Sequence, residues 1–334
     1  VYPYESQIST ALKTLLQEAP MVGFVTGHKE RSGMDMGEKG YGTFASNKTF
    51  RYSLENSGYG VREISLEHPV AEDINIIVLA DMRSNFTEEE FRNFDAYLKR
   101  GGNLFILGEP KRQQFMNPVI ERLGLRFADG IIVSPSEVNL DDLVAANIKE
   151  GAAKVSENYI RYFRSGYSIM TPSVCAVEVI DPNKGFEITE VLASASKGSW
   201  VEKETTDFIN EKSMLNPAVG EVEKSNSIML YLTRPVNNKE QRIFVIGDAD
   251  CISTLELSQN RPGFRSSNFT LITETFRNLS YGEFPVEASR VNPPDDRVLV
   301  TRNVIFGIRV VLMWIIPLLF VTGCITLLIR RKRR

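Results

Sequence analysis

Six residues with titratable side chains follow short apolar runs in this sequence, and their placement suggests a shared rim. His28 and Glu30 come after "GFVTG", Asp81 after "IIVLA", Glu109 after "LFILG", and Asp248 with Asp250 after "IFVIG". In an open parallel sheet, ligands bind outside the carboxyl ends of the strands. Carboxylates gathered there would suit a hard cation such as Ca²⁺ or Mg²⁺, the hydroxyls of a sugar, or hydrolytic chemistry. The competing reading is structural, since Asp and Glu after a strand commonly cap the next helix or close a turn. The six stand as candidate ligand-binding residues; no catalytic residue, metal or cofactor is assigned.

Other chemistries are poorly supplied. His28 and His68 are the two histidines of the chain, which leaves little for a zinc site or a Ser-His-Asp triad, and no G-x-S-x-G elbow occurs. The stretch "TGHKERSGMDMGEKGYG" (Thr26 to Gly42) is rich in glycine and lies between a strand and a helix, where phosphates are often cradled. It lacks the G-x-x-x-x-G-K-[ST] spacing and reads instead as a flexible partner-binding loop. Cys175 and Cys251 are the cysteines available for a disulfide, two isolated buried thiols being the commoner arrangement. Asn47, Asn85, Asn268 and Asn278 each head an Asn-x-Ser/Thr triplet, and Trp200 reads as a packed aromatic.

The elements that must position the rim follow from apolar spacing. "INIIVLAD", "TEEEFRNFDAYLKRGG" and "NLFILGE" read as strand, helix and strand, the helix opening on a Thr87/Glu90 capping box and presenting Phe91, Phe94 and Leu98. Lys99, Arg100 and Gly101 suit its end. "MVGFVTG" and "GVREISL" repeat the strand signal, with a helix expected over about 43–57 between them and another near Gln113 to Leu123. The fold class is therefore α/β, with a doubly wound, mostly parallel sheet. Residues 136–282 read as a β-rich section closed by a last strand-helix unit, "RIFVIGDAD" and "NFTLITETFRNLSYG". This gives an α/β core over 1–135, its completion over 136–282, and a Pro-bearing linker over 283–303 that includes Pro293, Pro294, Asp295 and Asp296.

A transmembrane helix is expected over 304–329. "VVLMWIIPLLFVTGCITLLI" (Val310 to Ile329) is uncharged and, at 1.5 Å per residue, about 30 Å long, which matches a bilayer core. The tail Arg330 to Arg334 is wholly cationic, so the positive-inside rule places it in the cytoplasm and the bulk of the chain outside. A chain placed so needs a signal or an earlier span upstream of Val1, which suggests a piece of a longer protein. The net charge of −3 is more negative once that tail is set aside, and this disfavours nucleic acid or anionic lipid as a ligand of the large domain.

Several stretches together resemble one family: "VGFVTGHKER", "LENSGYGVREISL", "YLKRGGNLFILGEPKRQ", "NPVIERLGLRFADGIIV", "LTRPVNNKEQRIFVIGDAD" and "WIIPLLFVTGCITLLIRRKRR". From about residue 20 onward the chain is similar to the GldG-like family, the extracytoplasmic auxiliary component of gliding-motility-type ABC transporters. The resemblance implies a bacterial inner-membrane protein whose periplasmic domain has a class I glutamine amidotransferase-like or flavodoxin-like fold. It implies as partners an ABC-2 type permease and a separate ATPase, sometimes with fusion to the permease, and it admits a dimer within the transporter. Where amidotransferase-like enzymes carry a nucleophilic Cys, this chain has Gly108-Glu109-Pro110, which argues against that chemistry. A non-enzymatic accessory is the leading expectation; a membrane-anchored hydrolase, or a metal- or glycan-binding envelope domain using the strand-end acids, is the alternative.

Overall fold

The continuous apolar runs form strands because helices bury both of their faces. The computed structural model describes residues 4–261, 263–287 and 302–333. Two units divide the chain, Val1–Ala288 and Ser289–Arg334. In the first unit the strands are β1 (Met21–Val25), β2 (Gly60–Ile64), β3 (Ile74–Ala80), β4 (Asn103–Leu107), β5 (Leu125–Phe127), β6 (Ile131–Val133), β7 (Leu143–Ile148), β8 (Ile169–Pro172), β9 (Val177–Val179), β10 (Glu187–Ala193), β11 (Trp200–Glu202), β12 (Ser227–Val236) and β13 (Lys239–Ile246). The helices are α1 (Glu5–Leu16), α2 (Gly42–Ala45), α3 (Glu88–Lys99), α4 (Gln113–Ile120), α5 (Glu157–Arg164), α6 (Thr254–Ser258) and α7 (Asn268–Leu279).

Nine strands make one sheet in the order β2-β1-β3-β4-β13-β12-β10-β7-β8. The pairs from β2 through β13 are parallel, and those from β13 through β8 are antiparallel. The expectation of a mixed α/β chain around a mostly parallel core holds. The β-rich part extends that same sheet, and the shorter pairs β6–β11 and β5–β9 stand beside it. In the parallel half the winding reverses between β1 and β3, the kind of place where a crevice opens at the carboxyl ends.

Alternate residues of the central strands supply two cores. Val78, Ala80, Phe105 and Phe244 pack on one face with Phe276 of α7; Ile77, Leu79, Leu104 and Ile106 pack on the other with Phe94 of α3 and Val119 of α4. Phe276 has Phe44, Tyr59 and Phe105 around it, with ring centroids 6.1, 6.1 and 5.9 Å away. Helix α3 starts as its sequence implies. The Thr87 hydroxyl accepts from the Glu90 N–H at 3.2 Å, and the Glu90 carboxylate accepts from the Thr87 N–H at 2.7 Å.

One expectation changes. The helix expected over 43–57 is only Gly42–Ala45. Beyond it, Asn side chains bind the backbone in place of helical bonds: Asn47 Oδ1 accepts from the Thr49 N–H at 2.9 Å, and Asn56 Nδ2 donates to the Lys48 and Phe50 carbonyls at 3.0 and 2.8 Å. Cys175 and Cys251 are free, buried thiols. Asn268 and Asn278 are buried, so half of the Asn-x-Ser/Thr triplets are closed to modification in the folded chain. Trp200 packs with Ile131, Val133 and Phe208 in a small cluster of its own.

The second unit holds a helix over Val304–Lys332, 29 residues containing an 18-residue stretch of mean hydropathy 2.6, long and apolar enough to cross a membrane. Its α-helical path passes through a π-helical stretch at Val311–Ile315, just before Pro317, whose missing N–H breaks the regular ladder. Trp314 and Phe320 stand out at 73% and 72% exposure, a surface suited to lipid or to other membrane helices. Much of the expected linker, 288–301 with its prolines and acids, lies outside the described residues.

Gly247 marks where the sheet tolerates no side chain. A Cβ there would stand 1.8 Å from the Cys175 carbonyl oxygen, and that backbone is fixed because the Cys175 N–H donates to the Gly247 carbonyl at 3.0 Å. Gly247→Ala is expected to destabilise the first unit by at least about 1–3 kcal/mol in denaturant unfolding.

Candidate functional site

The loop after β1 crosses the carboxyl ends of the parallel strands and inserts Arg31 among them. Its backbone is pinned on the way: the Arg31 N–H donates to the Ala80 carbonyl at 3.1 Å, the Arg83 N–H to the His28 carbonyl at 2.9 Å, and the Tyr41 N–H to the Ser32 carbonyl at 3.0 Å. The glycine-rich stretch, expected to be flexible, is therefore anchored at several points.

The Arg31 side chain is only 4% exposed and meets three of the strand-end acids. Nη1 lies 2.5 Å from Asp250 Oδ1, Nη2 3.2 Å from Glu109 Oε2, and Nε 3.4 Å from Asp81 Oδ2. Asp81 is shared with Arg83 at 2.7 Å and Arg112 at 3.0 Å, and Asp250 with Lys39 at 3.4 Å. Asp248 sits beside this group, fully buried, with Oδ1 accepting from the N–H groups of Asp250 at 2.6 Å and Cys251 at 3.1 Å. Its Oδ2 has no hydrogen-bond partner. Lys29, Asp81 and Lys111, each just past a parallel strand, hold φ of 62°, 51° and 67°, a left-handed conformation that non-glycine residues adopt rarely.

His28 and Glu30 form a separate knot. His28 Nδ1 lies 3.1 Å from Glu30 Oε1, and His28 Nε2 lies 3.3 Å from Oε2 of Glu90, the acid of the α3 capping box. The structure thus gathers Asp81, Glu109 and Asp250 directly on Arg31, adds Asp248 through Asp250, and ties His28 and Glu30 to α3 instead. Arg31, Glu90, Lys39 and Arg112 belong to the arrangement and escape a search for acids after strands. The signal available for them was the need of several buried carboxylates for counter-charge.

Burial sets the electrostatics. The Glu109 carboxyl is pushed up from 4.5 to about 8 by desolvation, with Asp250 adding repulsion and Arg31 opposing both. Burial and the charges of Glu109 and Asp250 drive Asp248 well above the usual carboxylate range, against the pull of Arg31. Desolvation lowers the Arg31 pKa, but Tyr41, Glu109 and Asp250 outweigh it and the net shift is upward. Glu30 is raised by burial, against its bonds to the backbone and to His28. Asp81, Glu109 and Asp250 serve as acceptors for one internal cation, Arg31. Among the described residues no group of three or more His, Cys, Asp or Glu side chains is arranged to hold a metal ion.

A family model described as "ABC-type uncharacterized transport system" matches residues 19–279. A search of curated protein sequences finds no match. Among solved structures, the mmIFT52 N-terminal domain is similar at a TM-score of 0.51 and 16% identity, covering 79% of this chain and 98% of its own, which is a likeness of fold alone. A ThuA-like protein from Parabacteroides merdae follows at a TM-score of 0.39 and 11% identity, covering 75% of this chain and 95% of its own. The exo-beta-1,4-mannosidase Op5Man5 from Opitutaceae bacterium strain TAV5 gives 0.34 and 10%, covering 82% of this chain and 37% of its own.

The raised Glu109 pKa fixes the sign of a pH dependence. The folded chain holds a proton that the unfolded chain releases, so the stability contributed by Glu109 is fully present below pH 4.5 and declines as pH rises toward about 8. Urea unfolding across that window should show stability falling by at most about 1.4 kcal/mol per pH unit from this group, and Glu109→Gln should flatten the decline. An unchanged slope in the variant would remove Glu109 as its source.

Proposed function

Because the chain belongs to the family of ABC-type transport-system auxiliary components, we propose that it is a non-enzymatic accessory of a bacterial ABC transporter, held in the inner membrane by its C-terminal helix and coupled to an ABC-2 type permease and its ATPase. The observation that carries this reading is the conjunction of that family match with an apolar helix of 29 residues ending in Arg330, Arg331 and Lys332. Cationic ends stay in the cytoplasm, so the large unit lies in the periplasm. In this reading residues 1–282 are the periplasmic body, 283–303 a stalk, 304–329 the span and 330–334 the cytoplasmic tail. The strand order β2-β1-β3-β4-β13 favours a flavodoxin-like winding over other doubly wound orders.

The strand-end geometry favours coupling over hydrolysis. Hydrolytic chemistry would need a carboxylate facing a substrate, whereas Asp81, Glu109 and Asp250 face Arg31. With the crevice filled by the chain's own side chain, the face above it is a place to grip a partner protein.

Two measurements test the proposal. The full-length chain should co-purify in detergent with an ABC-2 permease and its ATPase and change the ATPase rate; a chain that does neither contradicts it. For orientation, Cys175 and Cys251 are buried and Cys324 lies in the apolar helix, so introduced thiols read clearly. A membrane-impermeant maleimide should label Lys197→Cys in cells with a permeabilised outer membrane and leave Arg333→Cys unlabelled. The reverse pattern would invert the topology.

A further inference from the structure

A second polar centre lies toward the starting ends of β4 and β13, away from the Arg31 group. Between the start of α5 and the end of α7 opens a cleft of about 540 Å³, within the range of about 300–1,000 Å³ usual for small-molecule sites. Its walls are polar and cationic, with Lys154, Arg161, Arg242 and Arg277 among the lining residues. Most acids that line it are already engaged. Glu274 accepts from the Ser156 hydroxyl at 2.5 Å and from Asn158 Nδ2 at 2.8 Å, and Glu287 pairs with Arg277.

Among the described residues three lining groups are left over, one of them the exposed Glu157 carboxylate a helical turn before Arg161. Arg161 is exposed and, among the described residues, meets no carboxylate; the Tyr162 ring lies 5.9 Å away. Asn278 is buried, with its Nδ2 donating to the Val155 carbonyl at 3.2 Å and its own carbonyl accepting from Arg242 Nη1 at 2.8 Å. Asn278 lines the cleft, and among the described residues its buried side-chain oxygen Oδ1 accepts from nothing. A buried amide oxygen without a donor is costly, and a ligand hydroxyl would satisfy it. The Arg161 guanidinium, in the lining of the same cleft, is suited to a phosphate or carboxylate.

We infer that this cleft binds a small hydroxylated anion, its anionic group on Arg161 with Arg242 alongside and a hydroxyl donating to Asn278 Oδ1. Glycerol phosphate has that chemistry, whether as a free solute or as the headgroup of a phospholipid. The inference does not rest on the transporter reading, because binding is measured on the isolated chain.

Titration calorimetry of the full-length chain in a neutral detergent tests it, with glycerol 3-phosphate as the probe and inorganic phosphate and glycerol as its parts. Glycerol 3-phosphate should bind more tightly than phosphate, and glycerol alone should give no heat. Arg161→Ala should weaken binding by about tenfold, the loss expected of one charged hydrogen bond, and Arg161→Lys should restore part of it. Asn278→Asp, which points a negative charge at the ligand, should weaken glycerol 3-phosphate more than tenfold. Absence of binding, equal affinity for phosphate, or affinity unchanged in Arg161→Ala overturns the inference. In phosphatidylcholine vesicles, an apparent affinity that falls on adding phosphatidylglycerol assigns the headgroup as ligand, and one that stays constant assigns the free solute.

Discussion

A guanidinium buried among carboxylates is the constraint around which the large unit is arranged. Arg31 reaches from the loop after β1 to the ends of β3, β4 and β13, through Asp81, Glu109 and Asp250. Each of these charges would be expensive to bury alone, and together they offset one another only in this geometry. The loop is held down because Arg31 has nowhere else to go, and the acids are held in because Arg31 is there. Left-handed backbone at Lys29, Asp81 and Lys111 fits the same account, since the chain must turn sharply past each strand to aim these groups inward.

That constraint shapes what the crevice can do. Doubly wound sheets leave a gap where the winding reverses, and here the chain's own side chain fills it. The apolar cores on the two faces of the sheet then bind the parallel and antiparallel halves into one body. Such a body, with an apolar helix further along the chain, fits an auxiliary component whose work is contact with other subunits. The chemistry of transport, ATP hydrolysis included, falls to those subunits in this reading.

Much of this was legible in the sequence, for identifiable reasons. "INIIVLAD" and "NLFILGE" are continuous apolar runs because both faces of β3 and β4 are covered, and the Thr87/Glu90 spacing marks a helix start through local bonds alone. Residues 43–57 hold only a short helix because Asn47 and Asn56 bind backbone groups in competition with helical bonds. Strand β7, "LVAANI", passed unnoticed because its pairing with β8 and β10 is a long-range contact that no local pattern announces. At the strand ends the acids stood out, since position after a strand is a sequence property. Their common partner did not, because Arg31 reaches Asp250 across 219 positions of chain. His28 and Glu30 share the address of the other acids but turn toward α3, and residue order cannot distinguish those directions.

The account stands most directly on the coupling between Arg31 and its acids, and a double-mutant cycle measures it. Unfolding free energies of the wild type, Arg31→Met, Asp250→Asn and the double variant give the interaction as the departure from additivity. The account predicts that the double variant is more stable than the sum of the single losses by about 1–3 kcal/mol. Additivity to within about 0.5 kcal/mol, the behaviour of independent sites, would contradict the claim that Arg31 and the strand-end acids act as one interlock.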